Sequence, residues 1–410
     1  MRILVISNLY PPASRGGYEL LCAETVERLR ERHEVTVLTS SHEDVPSEPS
    51  VIRQLAYLPP GKASALRAPA AALAAAKLTR RVLAEVSPEL VFVWNGAAMP
   101  QAAIRIAELS GAPVAYSVCE YWFERLYGGD QFMRHLSPGD SGLRAVWAAG
   151  VRLVNRHPSL HLDAETRVPA SISWVSEALR KLVQIPPTIE ALDQRVIYTG
   201  VHDPDLWTGI ERRPPADPPL IAFVGRLEEQ KGPDVAYRAL AALRDEHQID
   251  ARLVLAGRPD PEMSRPLERL AGELGIRERV EQLGQVAQPQ VAELLGRASA
   301  LVVPSTWQEP SGGICLEGGL ARVPVVASRS GGMPEGLREE EHALYFDIDD
   351  HRGAARALAR VLGDPRDAAE RATRAFERAR EFTFDRYMER MHEFVDAAVR
   401  AHRKDPAARV

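Results

Sequence analysis

The chain has 410 residues, more than one hydrophobic core usually organises, so two domains are expected. Its composition, 45% hydrophobic and 26% charged, excludes the disordered and fibrous classes. The formal net charge is −5, and a nucleic-acid partner is therefore not expected. Cys22, Cys119 and Cys315 lie far apart, which predicts neither a disulfide framework nor a cysteine-rich zinc site and favours the reducing cytoplasm.

Signals for membrane insertion or export are weak in this sequence. No run approaches the roughly 18–20 apolar residues that span a bilayer, and the apolar start at residues 3–6 is too short for the core of a secretory signal. The alanine-rich run at residues 63–76 contains Arg67 and Pro69 and predicts a pair of solvated helices. The alternative is a basic helix on a membrane surface, which would place the protein at the inner membrane face.

The first half of the chain alternates short apolar runs with amphipathic segments. The runs lack strict alternation of polar and apolar residues, which is typical of strands buried on both faces of a parallel sheet. They occupy residues 2–7, 34–40, 90–94, 113–118, 171–175 and 195–199. Residues 19–32 have apolar side chains at helical spacing, so the pattern is strand, helix, strand, repeated.

The prolines of residues 203–219 interrupt this pattern, and we expect an interdomain connection there without strand or helix. The alternation then restarts with strands predicted at 220–224, 252–256, 280–283, 300–303, 324–327 and 343–346. The sequence therefore predicts an α/β protein of two doubly wound, Rossmann-like domains that face each other across a cleft. Residues 1–203 form the first domain, residues 204–381 the second, and a helix within residues 382–410 packs on one of the two.

Two carboxylates, Glu309 and Glu317, have seven residues between them, including the pair Gly312 and Gly313. The glycine pair follows a predicted strand and precedes a helix, so a ligand can approach main-chain N–H groups that favour anions. The glutamates would then accept hydrogen bonds from hydroxyl groups beside the anion, which suggests a sugar nucleotide. The alternative is a glycine cap with two surface glutamates.

A second stretch places Arg226 and Lys231 just past the predicted strand at 220–224. The planar fork of arginine and the mobile charge of lysine both suit a diphosphate. A third stretch, residues 11–18, places Gly16 and Gly17 after the first strand, where their N–H groups could meet a phosphate. The alternatives are surface cations for the second stretch and a flexible surface loop for the third.

Together these stretches resemble the retaining glycosyltransferases of family 4, the glycosyl transferases group 1, which have the GT-B architecture. The resemblance rests on the paired glutamates, on residues 224–232 (Val-Gly-Arg-Leu followed by Lys-Gly), and on the glycine pair after the first strand. Residues 325–328 and 331–335 add to it, as do 175–177 and 198–203 near the end of the first domain. Their joint order covers most of the chain and carries more weight than any single motif.

The resemblance implies a role for each matching side chain. Arg226 and Lys231 would bind the donor diphosphate and stabilise the leaving group. Glu309 would bind a hydroxyl group of the donor sugar, and Glu317 the ribose hydroxyls. The implied activity is transfer of a hexosyl group from a nucleoside-diphosphate sugar to a hydroxyl acceptor, with retained configuration and without a metal or other cofactor.

The resemblance also implies that the main chain binds the donor, at Gly225, Gly312, Gly313 and Ile314 in the second domain and at Gly16 and Gly17 in the first. The base would lie against residues 284–286, including Val286, and the last helix would cross back onto the first domain. The sequence departs from the family at Cys119 and Glu120, where a histidine is usual, and at Ser311, where an aromatic residue is usual. No catalytic histidine is therefore transferred to this chain.

Other enzymes and binding proteins remain as alternatives. The aspartates of residues 347–350 match the metal motif of a GT-A transferase, although aspartates before a helix commonly serve as caps. A sugar-nucleotide epimerase and a non-catalytic, two-lobed sugar-binding protein share the expected architecture.

The sequence leaves open the nucleotide, the acceptor (a sugar, a lipid-linked saccharide or a small molecule) and the oligomeric state. The aromatic residues of 121–127 are expected in the core, with sugar stacking as the alternative.

Overall fold

The computed structural model describes residues 1–14, 16–41, 45–136, 141–163, 165–213 and 216–404. The chain divides into two compact units. The first unit comprises residues 1–175, 179–197 and 388–410, and the second comprises residues 176–178 and 198–387. Each unit is built around its own parallel sheet, so the predicted α/β class of two Rossmann-like domains is confirmed.

The first unit contains a seven-stranded sheet in the order β3-β2-β1-β4-β5-β6-β7, with every neighbouring pair parallel. The chain enters at an interior strand, β1, where Arg2 pairs with Glu34 of β2. Its elements are β1 (Arg2–Ser7), α1 (Gly17–Arg30), β2 (Glu34–Ser41), β3 (Val51–Ala56), α2 (Lys62–Val86), β4 (Leu90–Asn95), α3 (Ala102–Glu108), β5 (Val114–Val118), α4 (Leu143–Asn155), β6 (Val168–Trp174), α5 (Glu177–Leu182) and β7 (Ile189–Val196).

The second unit contains a six-stranded parallel sheet in the order β10-β9-β8-β11-β12-β13. The strand order reverses between β8 and β11, which lie side by side. Its elements are α6 (Pro204–Thr208), β8 (Leu220–Val224), α7 (Pro233–His247), β9 (Arg252–Ala256), α8 (Pro261–Glu273), β10 (Val280–Gly284), α9 (Gln288–Arg297), β11 (Ala300–Val303), α10 (Gly313–Leu320), β12 (Val325–Ser328), α11 (Met333–Gly336), β13 (Leu344–Phe346), α12 (His351–Gly363) and α13 (Pro365–Ala379), followed by α14 (Phe384–Lys404).

Continuous apolar runs become the central strands of both sheets. Every residue of β4 and every residue of β11 is buried, as expected for strands covered by helices on both faces. The strands predicted at 2–7, 220–224, 252–256 and 300–303 have the predicted bounds. The strand predicted at 195–199 is wrong in its position, because β7 spans Ile189–Val196 and is mostly half-buried.

The strand β3 was missing from the prediction. It lies at the edge of the first sheet and alternates buried with more exposed residues, with Arg53 and Gln54 in its centre. An edge strand covered on one face has no continuous apolar run, so the pattern used to find the central strands does not find it.

The pair of solvated helices predicted at 63–76 is wrong, since one helix of 25 residues, α2, spans this region. Pro69 lies inside it, and the helix continues because one face packs against α3 and β3. That face buries small side chains, Ala68, Ala72 and Ala76 among them, so tertiary packing outweighs the hydrogen bond that proline removes. Within the described residues, no helix is both long and apolar enough to span a bilayer.

The predicted connection at 203–219 contains a short helix, α6, so its prediction as wholly irregular is wrong. Pro204 occupies the first helical turn, where its missing N–H costs nothing, and the Asp203 side chain accepts a hydrogen bond from the N–H of Leu206 at 3.3 Å. Trp207 is buried in the second unit's core and donates its Nε1–H to the carbonyl of His202 at 3.1 Å. Residues 214 and 215 lie outside the described residues.

The last helix contributes to the first unit, whereas the segment just before it belongs to the second. Val201 donates its N–H to the carbonyl of Phe382 at 2.9 Å, and Phe382 packs in the second core. The contact division therefore falls at 197/198 and 387/388, rather than at the predicted 203/204 and 381/382. In the first unit, Phe394 is fully buried with its ring centroid 6.4 Å from that of Phe92.

Replacing Phe394 with alanine is expected to lower the free energy of unfolding by about 3–5 kcal/mol, because a fully buried ring leaves a cavity. Urea denaturation of the whole chain measures this change. The matched control is Glu393→Ala, an exposed neighbour on α14, for which a change within about 0.5 kcal/mol is expected. Equal effects of the two substitutions would contradict the assignment of α14 to the core.

Candidate functional site

A cavity of about 290 Å³ opens in the second unit at the carboxyl ends of β8 and β11. This is the point where the strand order of the sheet reverses, the usual ligand position in open parallel sheets. Seven of the predicted site residues line it: Gly225, Lys231, Glu309, Gly312, Gly313, Ile314 and Glu317. The structure therefore brings the two predicted donor-binding stretches of the second half together within one unit.

An ion pair between Lys231 and Glu309 lies in the wall of the cavity. Lys231 Nζ is 2.6 Å from Glu309 Oε1, and the ammonium also lies 5.5 Å from the centre of the Trp307 ring. Glu309 is only 7% exposed, and the partial burial of both groups strengthens their attraction. The structure thus holds a cation and a carboxylate side by side at a place that a ligand can reach.

A close approach of two loops produces this pair. Gly232, directly after Lys231, has φ +63°, and a Cβ at this position would lie 2.0 Å from the carbonyl oxygen of Pro304. Only glycine permits both the left-handed conformation and this contact. The loops are joined as well by the N–H of Thr306, which donates to the carbonyl of Gln230 at 3.0 Å.

Hydroxyl groups and main-chain bonds fix the orientation of Glu309. Ser305 Oγ donates to Glu309 Oε1 at 2.6 Å, and the Glu309 N–H donates to Ser330 Oγ at 2.9 Å. The N–H of Gly332 donates to the Glu309 carbonyl at 2.8 Å. Oε1 therefore accepts hydrogen bonds from both Lys231 and Ser305, while Oε2 has no hydrogen-bond partner among the described residues. A ligand hydroxyl group has one free carboxylate oxygen to bind.

Helix α10 begins at the cavity with two glycines of different function. Gly312 has φ +69°, and a Cβ there would lie 2.2 Å from Cγ of Met333, so glycine is required. A Cβ on Gly313 would meet no atom within 4 Å, which leaves open space over the helix end. The first N–H groups of a helix have no acceptor inside it, so those of Gly313 and Ile314 are available to an anion.

Glu317 lies one turn into α10 and is one of the residues that line the cavity. Burial raises the pKa of this carboxyl group from 4.5 to about 7. No hydrogen bond or ion pair joins it to another of the described residues. An unpartnered carboxyl group beside an anion-binding helix end is suited to accept hydrogen bonds from hydroxyl groups of a ligand.

Two predicted donor-binding residues of the second unit, Arg226 and Val286, are not among those that line this cavity. The Arg226 side chain is 43% exposed and pairs with Glu228, its Nη2 lying 2.9 Å from Oε1. Val286 packs against the second unit's apolar core. The predicted roles of both residues in donor binding stay predictions.

The glycine loop of the first unit leads into α1. The N–H of Gly16 donates to the buried carboxylate of Glu19 at 2.9 Å, which caps α1, so this N–H is already occupied. A phosphate would have to displace Glu19 to reach this N–H, and the phosphate-binding role of Gly16 stays a prediction. Gly17 begins α1, and its part in phosphate binding stays a prediction. Arg15 lies outside the described residues.

Cys119 and the aromatic segment 121–127 of the first unit pack in or against the apolar core. Burial raises the pKa of the Cys119 thiol to about 12, so it is protonated at neutral pH and a weak nucleophile. Phe123 is fully buried and packs edge-on against Trp174, with ring centroids 5.9 Å apart. The aromatic segment thus packs in the core, as expected.

One of the aspartates of residues 347–350 caps the helix that follows them. Asp350 caps α12 by accepting a hydrogen bond from the N–H of Gly353 at 2.8 Å, and Asp347 pairs with Arg329. Among the described residues, no three side chains of His, Cys, Asp or Glu are grouped as metal ligands. The capping interpretation of this motif is confirmed at Asp350.

Sequence reasoning did not single out Ser305, Ser330 or Trp307. Ser305 lies between the end of β11 and Glu309, so its place in the same stretch was a signal that went unused. Ser330 and Glu309 are 21 residues apart, and Trp307 meets Lys231 across two loops. Contacts of this kind depend on the folded loops and leave no periodic pattern.

Residues 210–382 match a protein family described as glycosyl transferases group 1. Curated relatives include two proteins named D-inositol 3-phosphate glycosyltransferase. The one from Thermobispora bispora is 31% identical over 280 residues, 66% of this chain and 64% of the relative. The one from Salinispora tropica is 35% identical over 190 residues, 45% of this chain and 39% of the relative. The matches thus cover less than two thirds of either relative's length.

Solved structures resemble the chain over nearly its whole length. Sucrose-phosphate synthase from Thermosynechococcus elongatus has a TM-score of 0.68 at 20% identity, covering 97% of this chain and 99% of its own. HepE from Anabaena, in complex with UDP, has a TM-score of 0.66 at 19% identity, covering 97% of this chain and 100% of its own. These likenesses confirm the GT-B fold.

The raised pKa of Glu317 predicts a pH-dependent stability. Between the ordinary pKa of 4.5 and the folded value of about 7, the native state binds more protons than the unfolded chain. The free energy of unfolding contributed by this group therefore falls as the pH rises through that interval. Glutamine does not titrate, so the Glu317→Gln variant lacks this pH dependence. As the pH rises through the interval, the free energy of unfolding of the variant should therefore increase relative to that of the wild type by on the order of 1–3 kcal/mol. Denaturant titrations of both proteins over this pH range measure the difference, and a constant difference would contradict the assignment.

Proposed function

Because residues 210–382 match the family described as glycosyl transferases group 1 and the chain has the GT-B fold, we propose that this protein is a glycosyltransferase. It transfers a sugar from a nucleoside-diphosphate sugar to a hydroxyl group of an acceptor. The observation that carries the proposal is the single cavity in which Lys231, Glu309, Glu317 and the first turn of α10 converge. This set provides one cation, two carboxyl groups and free N–H groups for one ligand.

The anionic part of the donor binds at the start of α10. The N–H groups of Gly313 and Ile314 donate to phosphate oxygens, and the space above Gly313 admits them. Lys231 supplies a positive charge nearby, which stabilises the nucleoside diphosphate as it leaves. Arg226 follows β8 directly after Gly225 and adds a second cation once its guanidinium turns from Glu228.

The carboxyl groups bind the hydroxyl groups on either side of the diphosphate. Glu309 Oε2 accepts a hydrogen bond from a hydroxyl group of the donor sugar, because Oε1 is held by Lys231 and Ser305. Glu317 accepts hydrogen bonds from the ribose. Structures similar to this one include HepE bound to UDP and to UDP-glucose, which makes these two compounds the first ligands to test.

The reaction proceeds with retention and without a metal. The bond between the anomeric carbon and the diphosphate oxygen breaks, the acceptor oxygen bonds to that carbon on the same face, and the acceptor proton passes to a phosphate oxygen. Lys231 provides charge stabilisation that a metal ion supplies in other transferases. The anomeric coupling constant of the product tests retention, and turnover in a chelator tests metal independence.

Replacing Lys231 with alanine is expected to lower kcat by roughly 10²–10³-fold, because a preorganised charge is lost from the leaving group's site. Release of nucleoside diphosphate in the presence of an acceptor measures the rate. The matched control is Arg252→Ala, a partly exposed cation at the other end of β9, which should retain wild-type turnover. Nearly unchanged activity of the Lys231 variant would contradict the role of this lysine. Interconversion of the donor sugar by the wild type without an acceptor would instead identify the protein as an epimerase.

Replacing Ser305 with alanine is expected to weaken binding of UDP-glucose by roughly tenfold, because the carboxylate of Glu309 loses the hydrogen bond that orients it. Binding of UDP alone should not change, because Glu309 is assigned to the sugar. Isothermal titration with the two ligands measures both affinities. Ser299→Ala is the control, since this residue precedes β11 at its opposite end and its hydroxyl group has no hydrogen-bond partner in the described part of the chain. Equal losses for UDP and UDP-glucose would rule out a sugar-specific role.

A further inference from the structure

The outer face of α4 is unusual for a helix on a protein surface. Val146 is 72% exposed and Leu153 is 66% exposed, and both are large apolar side chains. Ala149 and Gly150 are exposed between them, so the four positions follow one another at i, i+3, i+4 and i+7. These positions form a continuous apolar stripe on one face of the helix, which we call the α4 stripe.

The opposite face of the same helix is apolar too. Ala148 and Val151 are buried, and Trp147 and Val154 pack against the first unit's core. The inner face therefore accounts for the packing of α4 on the protein and leaves the outer stripe without a structural role. Solvent-facing positions of a surface helix usually carry charged or polar residues, and an exposed apolar stripe marks an interaction surface.

The surroundings of the α4 stripe are positively charged. Residues 141–162 contain Arg144, Arg152 and Arg156, all exposed, and no aspartate or glutamate. By helical spacing, Arg152 and Arg156 lie along one flank of the stripe, whereas Arg144 lies on the opposite side of the helix. This charge contrasts with the net charge of −5 for the whole chain. A basic, apolar helix face is complementary to a surface that combines negative charge with a hydrocarbon interior.

We propose that the α4 stripe docks the protein on an anionic lipid bilayer. Val146 and Leu153 enter the region between headgroups and acyl chains, and Arg152 and Arg156 contact anionic headgroups. A second copy of the chain is the other occupant to be tested, and the experiment below distinguishes it from a bilayer. The sequence led us to consider the alanine-rich α2 as the membrane helix, but α2 buries its alanine face in the core. This proposal is independent of the proposed function.

Co-sedimentation of the full chain with lipid vesicles tests the proposal. Binding to phosphatidylcholine vesicles that contain phosphatidylglycerol should be on the order of a hundredfold tighter than to phosphatidylcholine alone, and salt should weaken it. The double substitution Val146→Asp with Leu153→Asp should reduce binding to the anionic vesicles by roughly tenfold or more. Both positions are exposed, so the thermal unfolding temperature should not change.

The matched control is Leu66→Asp on α2, since Leu66 is 74% exposed in the same unit and lies near Lys62 and Arg67. This control should bind vesicles as the wild type does. Loss of binding in the control but not in the double variant would overturn the proposal and assign docking to α2. Absence of vesicle binding by the wild type would overturn it as well, as would a dimer in light scattering that the double variant abolishes. None of these readouts depends on donor turnover.

Discussion

The ion pair between Lys231 and Glu309 is the contact on which the organisation of the cavity depends. It joins the loop after β8 to the loop after β11, and these strands are neighbours at the point where the sheet reverses its order. A buried carboxylate without a cation would be costly, and a lysine beside an apolar lining would be costly without its carboxylate. Each group therefore offsets the free-energy cost of burying the other's charge. Both groups lie close to the helix end that favours an anion.

Parallel topology explains why these groups meet at all. The loops at the carboxyl ends of adjacent parallel strands lie at the same edge of the sheet, however far apart they are in the sequence. Lys231 and Glu309 are 78 residues apart, and Glu309 and Ser330 are 21 apart. The first of these contacts follows from the strand order, whereas the second depends on the path of the loop after β12. The fold thus provides the location, and the details of the loops provide the orientation.

The same distinction separates what could be predicted from what could not. Strands such as β8, β9 and β11 are continuous apolar runs, and the sequence located them to the residue. The edge strand β3 and the unbroken helix α2 were missed because one lacks such a run and the other contains Pro69. Among the site residues, Lys231 and Glu309 were found by residue type and spacing. Ser305, which orients Glu309, was not, because its role appears only once the loop is folded.

The pKa of Glu317, near 7, has a consequence for how a ligand is bound. Hydroxyl groups donate most strongly to an ionised carboxylate, so a ligand that uses this group selects its deprotonated form. Under neutral or mildly acidic conditions, occupation of the cavity would then expel a proton into the solvent. The measured heat of association would vary with the ionisation enthalpy of the buffer, and the cavity would couple ligand concentration to local acidity.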